Sequence, residues 1–277
     1  MRFIASFAFF LSIVFLCSLP ASEKRTVYFT PLPMKNEQKT IEEFLPLVDY
    51  MQKESNFTIK FKYEKDYKDI LEGFKQHTID MAYLGPLPFA ILMSQYPHVK
   101  PIISFRQKDG SVKYRCVISK YEKDELDLNV PIKVALTQPL STCGYFMTKQ
   151  LLQKRYGIPL ENQLFKYTMS HTNALLGVLQ EKFLIAGSSE DIAMKHESLG
   201  MQIIEKSELL PGFAIVVNTQ TLKKEEIDAI TQTLLLIPKS RYAKWGNKMA
   251  HGMVPADEKS YESLFIDYSI PNEGNMP

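Results

Sequence analysis

The feature that most constrains the fold is the regular alternation of short apolar runs with longer amphipathic segments. Phe57, Ile59 and Phe61 alternate with polar residues as in a strand, whereas residues 36–55 carry apolar side chains at helical spacing. The order of strand and helix continues to residue 106, and a second unit of the same kind begins near residue 112. Because strands separated by helices of roughly 10 to 15 residues form parallel sheets, the chain is predicted to be an α/β protein.

The individual elements follow from the same periodicities. Strands are predicted over residues 25–30, 57–63, 79–84, 99–106, 112–119, 132–136, 163–168, 183–186 and 212–218. Helices are predicted over residues 36–55, from 66 to about 74, and over 86–96, 142–156, 170–181 and 223–237. In sheets of this kind ligands bind outside the carboxyl ends of the strands, so the strand-to-helix junctions are the places to look for a site.

Composition excludes several classes of protein. Of the 277 residues, 45% are hydrophobic and 23% are charged, as in an ordinary folded domain and unlike a disordered chain. The 33 Lys and Arg residues against 31 Asp and Glu residues leave a net charge of +2. This balance provides no broad basic surface for nucleic acid. The length allows either one large domain or two lobes with separate cores.

The N-terminal residues 1–22 are predicted to be a signal peptide. A basic start at Arg2 is followed by an uncharged apolar stretch from Phe3 to Leu19 and by the small residues Ala21 and Ser22. The alternative is a retained membrane anchor, but the stretch is short for a span and a polar chain follows at once. The mature protein is therefore expected in the periplasm.

Only two cysteines, Cys116 and Cys143, follow the leader. In an oxidising compartment they can form one disulfide, or they can remain as two inert core thiols. No Cys or His spacing typical of a metal site is present, so no metal and no cofactor are predicted.

Three strand-to-helix junctions carry polar groups suited to an anion. Tyr83 ends one predicted strand beside Gly85, where it can offer its hydroxyl or serve as a core aromatic residue. Ser141, Thr142 and Cys143 open a predicted helix, whose first turn exposes unpaired N–H groups and positive dipole. A plain N-cap explains one of these hydroxyls but not the whole group.

The third junction contributes a histidine. His171 lies at the start of another predicted helix, where its ring can donate a hydrogen bond to an anion. The other four histidines are interpreted as surface or capping residues, namely His77, His98, His196 and His251.

These junctions resemble, in order and spacing, those of the phosphate, phosphite and phosphonate periplasmic binding proteins of ABC importers. The matching segments are Asp80-Met81-Ala82-Tyr83-Leu84-Gly85-Pro86, Tyr114-Arg115-Cys116-Val117, Ser141-Thr142-Cys143-Gly144-Tyr145 and Ser170-His171-Thr172-Asn173-Ala174-Leu175. The resemblance covers nearly the whole mature chain. It implies a two-lobed type II periplasmic binding protein with mixed, mostly parallel sheets and a hinge between the lobes. Lobe one would comprise residues 23–112 and 218–277, and lobe two residues 113–217.

The resemblance also implies a site and partners. Tyr83 would contribute a phenol from lobe one, while Ser141, Thr142 and His171 would donate to the oxyanion from lobe two. The ligand would be a small oxyanion, delivered by a monomeric, non-catalytic protein to a membrane permease. Two departures concern Cys143 and Cys116, which replace small hydroxyl residues. A third is the apolar strand 183–186, where the family tends to carry an acid, and this argues against an amino-bearing phosphonate.

Two alternatives use the cysteines differently. Cys116 and Cys143 as thiols could capture a soft metalloid oxyanion such as arsenite for a membrane histidine kinase. Cys143 at a helix start with His171 as base could instead act as a nucleophile, although no third orienting residue accompanies the pair.

Overall fold

The computed structural model describes residues 24–264 except 128 and 247, so the predicted signal peptide lies outside the described residues. The first unit contains strands β1 (Arg25–Pro31), β2 (Phe57–Phe61), β3 (Met81–Leu84) and β4 (Val99–Phe105). Between them lie helices α1 (Glu37–Glu54), α2 (Tyr67–Lys75) and α3 (Pro86–Gln95). The alternation predicted from the sequence is confirmed in this unit.

The second unit follows a short strand, β5 (Lys113–Tyr114). Its strands are β6 (Cys116–Tyr121), β7 (Lys133–Leu136), β8 (Leu164–Tyr167), β9 (Ile185–Ser189) and β10 (Met201–Lys206). Its helices are α4 (Thr148–Tyr156), α5 (His171–Leu179) and α6 (Glu190–Met194), and a π-helical segment, Thr142–Met147, leads into α4. The chain then forms β11 (Leu210–Pro211), β12 (Ala214–Asn218), α7 (Lys224–Leu235), α8 (Lys239–Tyr242) and β13 (Met253–Pro255).

Two sheets organise these elements. The first has the strand order β13-β4-β12-β3-β1-β2, in which β1 runs parallel to β2 and β3 while β12 runs antiparallel to β3 and β4. The second has the order β10-β6-β9-β7-β8, with β7 parallel to β8 and β9. The antiparallel pair β5–β11 lies where the chain passes between the sheets. The molecule therefore has two α/β lobes with mixed sheets.

The observed end of lobe two differs from the boundary predicted from the sequence. The predicted boundary leaves residues up to 217 in lobe two, but β12 pairs with β3 and β4 and so lies in the first sheet. All five β12 residues are buried, which suits a central strand covered on both faces. The predicted strand 112–119 is also divided, because β5 ends at Tyr114 and β6 begins at Cys116. Strand β10 pairs antiparallel with β6 and was not predicted.

Side-chain caps fix where α1 and α2 begin. Asn36 Oδ1 accepts a hydrogen bond of 2.9 Å from the backbone N–H of Lys39, and Asp66 Oδ1 accepts one of 2.9 Å from Asp69. Each such cap stabilises a helix by about 1 kcal/mol. The helices bury apolar faces, including Phe44 in α1, against the first sheet. Within residues 24–264, apart from 128 and 247, no helix has the length and apolar character needed to cross a membrane.

Candidate ligand-binding site

A cavity of about 290 Å³ lies between the two sheets and has walls from both lobes. It brings together six of the seven residues singled out from the sequence, namely Tyr83, Gly85, Ser141, Thr142, Cys143 and His171. Cys116 is absent from the cavity wall and is fully buried in β6. The three strand-to-helix junctions therefore meet at one place, as the rule for the carboxyl ends of parallel strands predicts.

Two hydroxyl groups stand at the start of the π-helical segment. Ser141 caps it, because its Oγ accepts a hydrogen bond of 3.1 Å from the backbone N–H of Gly144. Thr142 Oγ1 accepts a hydrogen bond of 3.1 Å from the backbone N–H of Leu87, in the first turn of α3. The Thr142 hydroxyl also bonds to the phenol of Tyr114. Thr142 thus connects the lobes at the cavity wall.

Gly144 allows this segment to pass close to the end of β7. A Cβ at residue 144 would lie 2.0 Å from Thr137 Oγ1 and 2.6 Å from Thr137 Cβ, and Thr137 is fully buried. The helix start that presents Ser141 and Thr142 therefore requires glycine here.

We expect Gly144→Ala to lower the free energy of unfolding by about 1–3 kcal/mol, since overpacking forces the backbone to shift. Urea denaturation measures this change. Gly246→Ala is the matched control, because its nearest neighbour to an added Cβ is Glu43 Cγ at 3.7 Å, and it should change stability little. Equal stabilities of the two variants would contradict the packing account.

One hydrogen bond of His171 defines which ring nitrogen carries the proton. His171 begins α5, and its Nδ1 accepts a hydrogen bond of 3.2 Å from the backbone N–H of Ser189. Burial lowers the pKa of His171 to about 4, while nearby Asp191 raises it and Lys248 lowers it further. The ring is therefore neutral at pH 7, with its proton on Nε2. His171 is a hydrogen-bond donor that carries no charge.

The depressed pKa of His171 makes folding stability depend on pH. The ordinary pKa of the imidazole, 6.5, applies to the unfolded chain, against about 4 in the folded protein. Between these values only the unfolded chain binds the proton, so the free energy of unfolding falls as the pH is lowered through this window. We expect the wild type to lose more stability than His171→Gln between about pH 7 and about pH 4.5 in urea denaturation. Equal losses would contradict the assignment.

Aromatic rings form the opposite wall. The ring of Tyr83 stacks on Phe213 with centroids 5.0 Å apart, and it meets Phe105 edge-on at 5.3 Å. Burial raises the pKa of Tyr83 well above its usual value, so the phenol stays protonated. Tyr67 and Tyr114 also line the cavity, and burial raises their pKa values in the same way. The cavity thus combines apolar ring surface with neutral hydroxyl groups.

The sequence analysis did not single out the charged residues of the cavity wall, which are Asp109, Lys113, Arg115, Glu190, Asp191 and Lys248. Glu190 and Asp191 begin α6 immediately after β9, so the junction rule used for Ser141 and His171 would have found them. Both carboxylates already have a lysine partner, because Glu190 Oε1 lies 2.6 Å from Lys206 Nζ and Asp191 Oδ2 lies 3.6 Å from Lys195 Nζ. Lys248 lies in an irregular segment after α8, where no periodic pattern marks it.

The sequence matches a family model along most of its length. The model describes the periplasmic substrate-binding protein of phosphonate ABC transporters, and it matches residues 29–261. The chain belongs to this family. The match includes every residue of the cavity wall and all of both sheets except the first four residues of β1.

Similar proteins agree with this assignment. The phosphate-import protein PhnD of Mycolicibacterium smegmatis is 21% identical over 125 residues, which are 43% of this chain and 39% of that protein. A binding protein component of an ABC phosphonate transporter from Pseudomonas aeruginosa has a TM-score of 0.73 at 16% identity, covering 86% of this chain and 83% of the other. PhnD1 from Prochlorococcus marinus in complex with methylphosphonate has a TM-score of 0.71 at 13% identity, covering 87% and 96%. These likenesses confirm the two-lobed periplasmic binding protein fold.

Within this substrate-binding protein the two cysteines form a disulfide. Cys116 in β6 and Cys143 in the π-helical segment have Cα atoms 4.9 Å apart. The pairing was left open by the sequence. It removes the free thiols on which both the arsenite hypothesis and the Cys143 nucleophile depended, because a disulfide provides no thiolate. Cys143 instead ties the start of the π-helical segment to strand β6 of the second sheet.

Proposed function

We propose that this protein captures a phosphonate-type oxyanion in the interlobe cavity and presents it to the permease of an ABC importer. The observation that carries the proposal is the orientation of His171. Because Nδ1 accepts from Ser189, the Nε2–H group remains as a donor in a cavity wall that also contains the hydroxyls of Ser141 and Thr142. Several neutral donors at helix starts suit a compact anion.

Neutral donors serve reversible capture. Each hydrogen bond from a neutral group to the anion contributes to the binding free energy. None of these groups carries the large desolvation cost of a buried unpaired charge. The first turns of α5 and of the Thr142–Met147 segment add unpaired backbone N–H groups at the same cavity. The ligand is therefore bound without a cluster of arginines and without any covalent step.

The size and walls of the cavity favour an organic phosphonate over bare phosphate. Its volume of about 290 Å³ lies near the lower end of the range for small organic ligands. The rings of Tyr83, Phe105 and Phe213 offer apolar surface that a tetrahedral inorganic anion does not use. A short carbon substituent on phosphorus would contact these rings. An amino group on that substituent would compete with Lys206 for Glu190 and with Lys195 for Asp191.

Contacts between the lobes support ligand capture by closure. Gln138 Nε2 donates to Pro33 O over 3.4 Å, and Thr142 accepts from Leu87 beside the cavity. Both contacts join residues of the second unit to residues of the first. A ligand held by donors on both sides would favour this closed arrangement, and the closed surface is what a permease would recognise.

A thermal-shift series tests the proposed function. Methylphosphonate, 2-aminoethylphosphonate, phosphate, phosphite and sulfate are added separately to the mature protein. Since a ligand that binds only the folded state raises the melting temperature, we expect the largest shift with one of the two phosphonates. A melting temperature unchanged by every phosphorus oxyanion would refute the proposal.

A further inference from the structure

A lysine ammonium group stands in the wall of the cavity on the side of the first sheet. Lys248 Nζ lies 3.1 Å from Glu43 Oε2 and 5.9 Å from the ring centroids of both Phe44 and Tyr83. Only 24% of the Lys248 side chain is exposed, and Lys248 is one of the residues that line the cavity. An enclosed ammonium group is costly unless opposite charge compensates it.

The compensation of Lys248 is incomplete. Glu43 is shared, because its Oε2 also lies 3.2 Å from Lys35 Nζ. This cluster thus contains two cations and one anion, and Asp191 is a further carboxylate whose charge acts on Lys248. Burial lowers the pKa of Lys248, which agrees with an ammonium group that is not fully neutralised, although Glu43 acts in the opposite direction. Lys248 therefore stands beside the Tyr83 ring with a carboxylate that it shares with a second lysine.

Among the cavity-lining cations, Lys248 is the one packed against the aromatic wall. Arg115 Nη1 is engaged by the carbonyl oxygen of Ser207 at 2.6 Å, and Lys113 is an exposed residue of the short strand β5. The Lys248 Nζ lies over the ring faces of Tyr83 and Phe44, and this cation–π arrangement holds the ammonium group beside the aromatic wall.

We propose that Lys248 is a ligand-binding residue that pairs with the negative charge of the bound oxyanion from the first lobe, facing the neutral donors of the second. This inference rests on the proposed function and extends it. The affinity of a cation for an oxyanion depends more strongly on whether the anion carries one or two negative charges than the affinity of neutral donors does. Lys248 therefore makes the site prefer doubly charged phosphonates. It also gives the ligand one charged contact when the lobes are closed around it.

Calorimetric titration with methylphosphonate tests this role in matched variants. Lys248→Met removes the ammonium group but keeps a long apolar side chain against Phe44 and Tyr83. We expect a loss of affinity of about 10- to 100-fold, as for a hydrogen bond to a charged group. Lys35→Met is the control, because it removes the other lysine that pairs with Glu43. Lys35 is half-exposed and lies outside the cavity wall. It should change affinity by less than about 3-fold.

Glu43→Gln supplies an independent measurement. Removing the competing carboxylate releases Lys248 for the ligand, so affinity for methylphosphonate should rise several-fold, whereas a purely structural ion pair predicts no gain. Lys248→Met that folds and binds like the wild type, or Glu43→Gln without a gain, would overturn the inference while leaving the proposed function intact. A wild type that binds neither methylphosphonate nor phosphate would overturn both.

Discussion

His171→Leu is expected to weaken methylphosphonate binding by about 10- to 100-fold, because it removes the Nε2–H donor from the cavity wall. The neighbouring Ser189 N–H loses its acceptor as well, since His171 Nδ1 accepts from it over 3.2 Å. Calorimetric titration at neutral pH measures the effect, where the low pKa of His171 keeps the ring uncharged.

His171→Gln is the matched variant for this position. Its side-chain amide retains an N–H group at about the distance of Nε2, so most of the affinity should return. A leucine variant with wild-type affinity would show that His171 does not contact the ligand. Equal losses in the leucine and glutamine variants would assign the effect to packing and not to the donor.

The second large effect concerns the disulfide. Cys116→Ala combined with Cys143→Ala is expected to lower the free energy of unfolding by about 3.5 kcal/mol. The cysteines are 27 residues apart, and this value is the loop entropy that such a bridge removes from the unfolded chain. For a protein of this size the melting temperature should fall by about 10 °C.

Reduction of the wild type provides the control for the double variant. Denaturant unfolding in the presence of a strong reductant should bring the wild type close to the alanine variant, whereas the alanine variant should not respond. Thiol counting first shows that the disulfide is reduced. If the wild type then has the same stability with and without reductant, the stabilising role of the disulfide is contradicted. Both cysteines are buried, so the reduction step requires partial denaturation.

The architecture followed largely from the sequence because local periodicity determines most of these elements. The alternation of strand and helix predicted both α/β units, and the junction rule placed Ser141, Thr142 and His171 together. The expectation of mostly parallel sheets was wrong, because six of the ten described strand pairs are antiparallel. The periodicity of the sequence does not predict that the chain returns to the first sheet at β12. Strand β12 is apolar on both faces, so its sequence fits a central position in either sheet, and its pairing with β3 and β4 is a tertiary effect.

The charged part of the cavity was harder to predict. Lys248 reaches the wall from an irregular segment far along the chain, and its position depends on contacts with Glu43 and the rings of Phe44 and Tyr83. No sequence pattern encodes such a contact. The cysteine pairing likewise depends on β6 passing beside the Thr142–Met147 segment, which the sequence alone leaves open. By contrast, the strand-to-helix junction between β9 and α6 could have indicated Asp191.

The most direct test of the anion-binding account is a crystal structure of the protein grown with saturating methylphosphonate. We expect the phosphonate oxygens to lie within about 3.2 Å of Ser141 Oγ, Thr142 Oγ1 and His171 Nε2, with the methyl group against the aromatic wall. A phosphonate bound outside this cavity, or an empty cavity at saturating ligand, would contradict it.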